Sequence, residues 1–273
     1  MNTNLRNKIA GAVYGFAIGD AMGATTEFMT KNGIKRKYGK VKDIIGGGWL
    51  NLQPGDVTDD TQMTMCVMSA IMRQPQSTEE FKKYCADNFV IWKNSGPKDI
   101  GLQCSFAIDC LKDGEAVPIN NRALGNGSLM RAMPLAILNL RFYNIIQGKL
   151  THNNDICSKI ILEYTRLIQD YINNNYNNNL INSTEKILEP SGYIVNTFNN
   201  SIYWSKKDSF EKAIIGAVND GGDADTVAAI TGSLAGAKFG YDKIPERWIN
   251  QLNPDVKEFL DKFISFVFEC LQI

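Results

Sequence analysis

Apolar residues recur along most of this chain at mixed three- and four-residue spacing, the period of one face of an α-helix. The pattern predicts helices over 60–73, 78–93, 100–112, 128–140, 155–172, 191–204, 208–218, 225–239 and 254–271. Residues 5–22 also read as a helix, Gly/Ala-rich and suited to close packing. Ser77 and Glu80 have the spacing of a capping box, and Asp208 with Glu211 reads as a further acidic helix start. No series of alternating strands bounded by turns interrupts this, so an all-α bundle is the economical fold. No linker divides the chain and no repeat is visible, so 1–273 is expected to form a single compact domain. Residues 31–56, with six Lys/Arg, then Gly46-Gly47-Gly48 and Pro54-Gly55, read as a solvated basic loop. Residues 173–179 (NNNYNNN) read as a flexible one.

Composition narrows the classes. A chain of 273 residues with 44% apolar content can bury a sizeable core. Lys plus Arg and Asp plus Glu number 29 each, so no global positive field exists to hold nucleic acid or an anionic membrane. No run of about 18 apolar residues predicts a membrane span. Arg6 and Lys8 before the run Ile9 to Ile18 have the outline of a signal peptide. That run is Gly/Ala-rich and closed by Asp20, and the six cysteines (66, 85, 104, 110, 157, 270) form no C-x-x-C pair. They read as free thiols of a reducing compartment, which makes the cytoplasm the expected location. His152 is the only histidine, which excludes the common two- and three-His zinc sites.

Two acidic clusters stand out: Asp56-Val57-Thr58-Asp59-Asp60-Thr61 and Asp223-Ala224-Asp225-Thr226. Each follows glycine and precedes an apolar helical run. Helix capping explains one Asp or Thr at such a place. It does not explain two adjacent carboxylates with a threonine, twice over, because adjacent carboxylates repel unless a cation lies between them. Hard cations such as Mg²⁺ and Mn²⁺ take carboxylate, hydroxyl and water oxygens. Capping and metal binding both stand on these residues alone. A third segment, Gly125-Asn126-Gly127-Ser128, is a glycine turn entering an apolar helix; it suits either a tight turn capped by Ser128 or an anion site. A fourth, Gly19-Asp20-Ala21-Met22-Gly23, leads to Glu27, and its glycines allow close approach of another segment.

Together these segments resemble the ADP-ribosylglycohydrolase family. The matches are Gly11 to Gly23 (GAVYGFAIGDAMG) with Glu27, Thr58 to Thr61 (TDDT), Gly125 to Arg131 (GNGSLMR), Thr151-His152, Gly192 to Val195 (GYIV) and Gly221 to Thr226 (GGDADT). They run in family order over nearly the whole chain. The resemblance implies a compact all-α domain with two divalent metal ions, Mg²⁺ or Mn²⁺, at the floor of a cleft. It implies Thr58, Asp59, Asp60, Asp223, Asp225 and Thr226 as metal ligands, and Asp60, Glu27 and Asp225 as the acids nearest the chemistry. Gly125, Asn126, Gly127 and Ser128 would line the ADP-ribose site, with Asp99 and His152 also facing substrate. Taken alone, a lone histidine is first a core or surface residue; the motif reverses that order.

The implied reaction is hydrolysis of the bond from the ribose anomeric carbon to an acceptor. Arginine is the first acceptor to consider; serine, an acetyl ester or a nucleobase are the others. The partner is then an ADP-ribosylated protein or small ADP-ribose conjugate, met by a monomer. The alternatives are a catalytically inactive ADP-ribose-binding module and a structural protein without ligands. Two departures stand out: Asn196, where many relatives carry an acid after the GYIV segment, and the Asn-rich stretch 173–179.

Overall fold

The computed structural model describes residues 3–176 and 185–273. Thirteen helices are present among them: α1 (Thr3–Gly23), α2 (Lys31–Tyr38), α3 (Asp59–Met72), α4 (Thr78–Asn94), α5 (Leu102–Lys112), α6 (Met133–Ile137), α7 (Arg141–Lys149), α8 (Asp155–Ile172), α9 (Ile194–Ser205), α10 (Phe210–Val218), α11 (Ala224–Phe239), α12 (Glu246–Gln251) and α13 (Pro254–Leu271). Two 3₁₀ turns, Asn126–Ser128 and Tyr241–Lys243, join them. Among the described residues there is no strand beyond three isolated bridges, so the all-α expectation is met. None of these helices is long and apolar enough to cross a membrane.

The middle of the fold is the pair α1 and α11. Both are apolar all round and buried along most of their length, as expected of central helices. Small residues at four-residue spacing let their backbones touch. A Cβ on Gly15 would lie 2.2 Å from the carbonyl oxygen of Gly232, and one on Gly236 would lie 1.9 Å from that of Gly11. Gly19 meets Ala228 and Gly23 meets Ala224 in the same way. As one number rises the other falls, so the helices run antiparallel. The C-terminal end of α1 therefore lies beside the N-terminal end of α11, which brings the segment before Glu27 against Asp225. The Ile9–Ile18 run with the outline of a signal peptide is the buried length of this central helix.

Helix α8 spans the expected residues 155–172, and α3, α4, α11 and α13 fall within a residue or two of theirs. The departures have local causes. Residues 128–140 do not form one helix. A 3₁₀ turn ends at Ser128, α6 covers five residues with a proline in its first turn, and Asn139 at φ 55 stops it. Ser128 closes that turn rather than capping a helix.

Helix α7 escapes the apolar period because Asn144 and Gln147 fill its buried face. Their amides donate to the carbonyls of Ala132 and Ser128, both at 3.0 Å. The basic loop 31–56 contains α2, capped by the Thr30 hydroxyl, which accepts from Gly33 N. Its basic last turn suits the helix dipole, and only Ile34 is buried, so it carries no stripe to read. Ser209, not Asp208, caps α10; Asp208 is exposed and pairs with Lys212 at 2.7 Å.

The Asn-rich stretch starts as an anchored turn. Lys8 Nζ, buried on α1, donates to Asn174 Oδ1 at 2.7 Å and to the Tyr176 hydroxyl at 3.1 Å. The remaining positions, 177–179, lie outside the described residues. All six cysteines are free thiols; Cys85, Cys104, Cys110 and Cys157 are buried, Cys66 is partly so and Cys270 is exposed.

Candidate active site

Helices α3 and α11 begin at the same place. Thr58 caps α3, and Asp59 and Asp60 fill its first turn. Asp223 precedes α11, and Asp225 lies in its first turn. Both positive helix ends therefore point at one group of carboxylates. The Thr226 hydroxyl joins the clusters, 3.2 Å from Asp60 Oδ2 and 3.4 Å from Asp223 Oδ1. Glu27, just beyond α1, completes the set: one oxygen each of Glu27, Asp223 and Asp225 lie within 4.8 Å of one another. The cleft above them has a volume of about 240 Å³. Its walls include Asp99, Gly125, Asn126, Gly127 and His152.

The first cluster is held from below by Asp20, which is fully buried in α1. Its carboxylate accepts from Thr58 N at 3.1 Å, the Thr58 hydroxyl at 2.8 Å, Thr61 N at 3.0 Å and the Thr61 hydroxyl. Four donors satisfy this charge without a cation. The second cluster is held by Asn126, whose amide donates to Asp223 Oδ2 and, at 3.0 Å, to Thr197 Oγ1. In the sequence Asp20 marks only the close of the apolar run, and spacing alone assigns it no role.

The other carboxylates are not satisfied in this way. Asp60 Oδ1 and Asp225 Oδ1 are buried with no hydrogen-bond partner. No ion pair found among the described residues involves Glu27, Asp59, Asp60, Asp223 or Asp225. Burial pushes the Glu27 carboxyl up to about 8, opposed by the Trp49 hydrogen bond and reinforced by Asp223, Asp99 and Asp59. Asp59 rises to about 8 through burial, then Asp99 and Asp20. Asp60 and Asp225 move upward from burial and from the acids around them. Buried carboxylates crowded without a counter-charge and with orphaned oxygens fit hard divalent cations. Helix capping alone does not explain them.

The turn Gly125–Ser128 forms the opposite chemistry. Beneath it lies Arg131, fully buried, whose Nη1 donates to Gly127 O at 2.6 Å and whose Nε donates to Gln147 Oε1 at 2.8 Å. None of its hydrogen-bond partners is a carboxylate. The His152 ring packs against this turn, and a Cβ on Gly127 would lie 2.9 Å from its Cε1. Burial, then Arg131, lowers the His152 pKa to about 3, so the imidazole is neutral.

Most expected site residues thus meet at one cleft. Two do not reach its wall: Ser128 is fully buried, and the Thr58 hydroxyl is engaged with Asp20. Asn196, the departure from the family pattern, donates to the Glu189 carbonyl at 3.1 Å and does not line the cleft. Phe28, which the periodicity did not mark, lines the cleft beside Glu27, and Trp49, equally unmarked, bonds Glu27 and packs against the Phe28 ring.

Known proteins resemble this chain over most of its length. The family model for ADP-ribosylglycohydrolase matches residues 1–189 and 162–270. The chain is 33% identical to ADP-ribosyl-[dinitrogen reductase] glycohydrolase of Rhodospirillum rubrum, over 93% of each chain. It is 30% identical to the ADP-ribosylarginine hydrolase Tri1 of Serratia proteamaculans, over 90% of this chain and 75% of that one. A solved structure described as an ADP-ribosylglycohydrolase-related protein complex shares the fold, with a TM-score of 0.82 at 24% identity, covering 97% of this chain and 98% of its own. The family model and the Rhodospirillum relative, each matching over most of the chain, make this chain a member of the ADP-ribosylglycohydrolase family, and a hydrolase of that type.

Proposed function

We propose that this protein removes ADP-ribose from a modified arginine side chain of a partner protein, or from a small ADP-ribose conjugate, using two divalent cations, Mg²⁺ or Mn²⁺. The observation that carries the metal dependence is the pair of orphaned oxygens, Asp60 Oδ1 and Asp225 Oδ1, buried in one crowd of unpaired acids. Arginine is favoured because the name of the Serratia relative specifies ADP-ribosylarginine.

In this reading Asp59, Asp60, Asp223, Asp225 and Thr226 hold the cations, joined by Thr58 through the oxygen lone pairs left when its hydroxyl donates to Asp20. When bound, these supply Lewis acidity toward the ribose hydroxyls and toward water. The chain's own groups orient and protect. Asp20 fixes the Thr58–Thr61 turn, and Asn126 fixes Asp223. Gly125, Gly127 and the neutral His152 receive the diphosphate, with the uncountered charge of Arg131 behind them favouring an anion. Asp99 faces the departing side. Positive charge grows on the ribose as the anomeric bond breaks. The carboxylates of Glu27 and Asp60 stabilise it, and Glu27 Oε1, the oxygen that Trp49 leaves free, exchanges the proton between water and leaving group. The protein acts as a monomer in the cytoplasm.

The test is release of free ADP-ribose from arginine, serine and acetyl-ester conjugates. Turnover of the arginine conjugate alone supports the proposal. Tight binding of ADP-ribose with no release from any conjugate overturns it in favour of a binding module.

A further inference from the structure

Phe28 stands in an unusual state. Its backbone is left-handed, φ 59, which a bulky side chain rarely adopts. Its N–H donates to Gly222 O at 2.7 Å, and Gly222 N donates to Met29 O at 2.9 Å, so the conformation is pinned to the turn that carries Asp223. The ring is not driven into the core: Phe28 is 68% exposed and lines the cleft. Trp49, 51% exposed, stands beside it with ring centroids 5.3 Å apart and planes at 49°. The indole N–H donates to Glu27 Oε2 at 2.5 Å. A strained backbone that holds an exposed ring at a cleft is the kind of outlier from which function is inferred.

We infer that Phe28 and Trp49, with the carboxylates of Glu27 and Asp99, form the cup that holds the guanidinium of the acceptor arginine. This rests on the hydrolase reading above and adds the residues that select the acceptor. Aromatic faces carry a negative quadrupole. Set beside two carboxylates, they attract a cation and repel a diphosphate. The guanidinium is planar, weakly hydrated, and both stacks on rings and bonds carboxylates. A neutral adenine gains only the stacking. The groups suited to an anion, the Gly125–Gly127 turn and His152 over Arg131, are other residues of the same cleft.

The test pairs two measurements on the full chain: KM for ADP-ribosylarginine, and Kd for free ADP-ribose by calorimetry. Phe28→Leu keeps an apolar side chain and the same backbone demand but removes the ring. The cup predicts that KM rises about tenfold, within the range of a cation–ring contact, while Kd for ADP-ribose stays put. Phe28→Tyr restores KM. An equal rise in both constants overturns the inference, because the rings then hold the adenine. No change in either also overturns it, while leaving the hydrolase reading intact. Wild-type protein that neither binds ADP-ribose nor releases it removes the hydrolase reading itself, and the cup with it.

Discussion

The Thr151 hydroxyl oxygen lies 2.8 Å from Nδ1 of His152, and Arg131 Nη2 donates to the same oxygen at 2.5 Å. With Arg131 occupying it as an acceptor, the hydroxyl directs its own hydrogen to Nδ1. The imidazole proton then sits on Nε2, the nitrogen 3.1 Å from where a Cβ on Gly125 would be. Because the chain has one histidine, a ¹⁵N-histidine spectrum reports this ring alone. It should show a neutral Nε2–H tautomer from pH 8 down to about 5, given the pKa near 3. Thr151→Val should mix the tautomers.

Removing a ligand acid should have opposite effects on activity and on stability without metal. In Asp60→Asn and Asp225→Asn, ADP-ribose release should fall by at least about 100-fold. In a chelator, the same proteins should melt above wild type, because one of several crowded buried acids is gone. Wild type should gain about 2.7 kcal/mol from Mg²⁺ or Mn²⁺ at 100 times Kd, and the variants much less. Thermal melts with and without metal check each point.

The pH dependence of stability should run against the usual acid trend. Glu27 and Asp59 titrate near 8 in the folded chain and near 4 when unfolded, so between these limits the folded state holds more protons. Chelated protein should therefore lose stability as pH rises from 4 to 8, by at most about 1.4 kcal/mol per pH unit for each such acid. His152 works the other way, since its folded value is depressed, but it is one group against several. Saturating metal should flatten the slope. Urea melts across this range with and without chelator give the sign directly.

Asp20 should matter without touching the cleft. In Asp20→Asn the volume is kept, but an NH₂ group must face donors from Thr58 or Thr61. A loss of about 2–4 kcal/mol is expected, with weaker metal binding because the Thr58–Thr61 turn loosens. Melts and calorimetric titration of Mn²⁺ separate the two effects.

The α1–α11 pairing should tolerate no added carbon. Gly15→Ala places a methyl 2.2 Å from a backbone oxygen and should cost about 1–3 kcal/mol or more. Gly101→Ala meets nothing within 4 Å and should leave the melting temperature close to wild type.

What was legible in the sequence follows from what has a period or a chemical signature. Helix α8 shows one clean apolar face and its ends were readable to the residue. The acids before α3 and α11 stood out because crowded carboxylates need a reason, and the structure brings both clusters to one cleft. What stayed hidden lacked such a mark. Helix α7 buries amides instead of apolar side chains, and α2 buries almost nothing. The Trp49–Glu27 bond joins two loops 22 residues apart, and no local pattern encodes that meeting. Asp20 closes an apolar run in the sequence, but its four donors appear only once α3 packs over α1.

The most direct measurement is the release of ADP-ribose from ADP-ribosylarginine by purified protein stripped of metal and then given Mg²⁺ or Mn²⁺. Stripped protein should release none, either ion should restore release in full, and neither should restore it in Asp225→Asn. Undiminished release from the stripped protein, or from Asp225→Asn, would contradict the metal-dependent reaction.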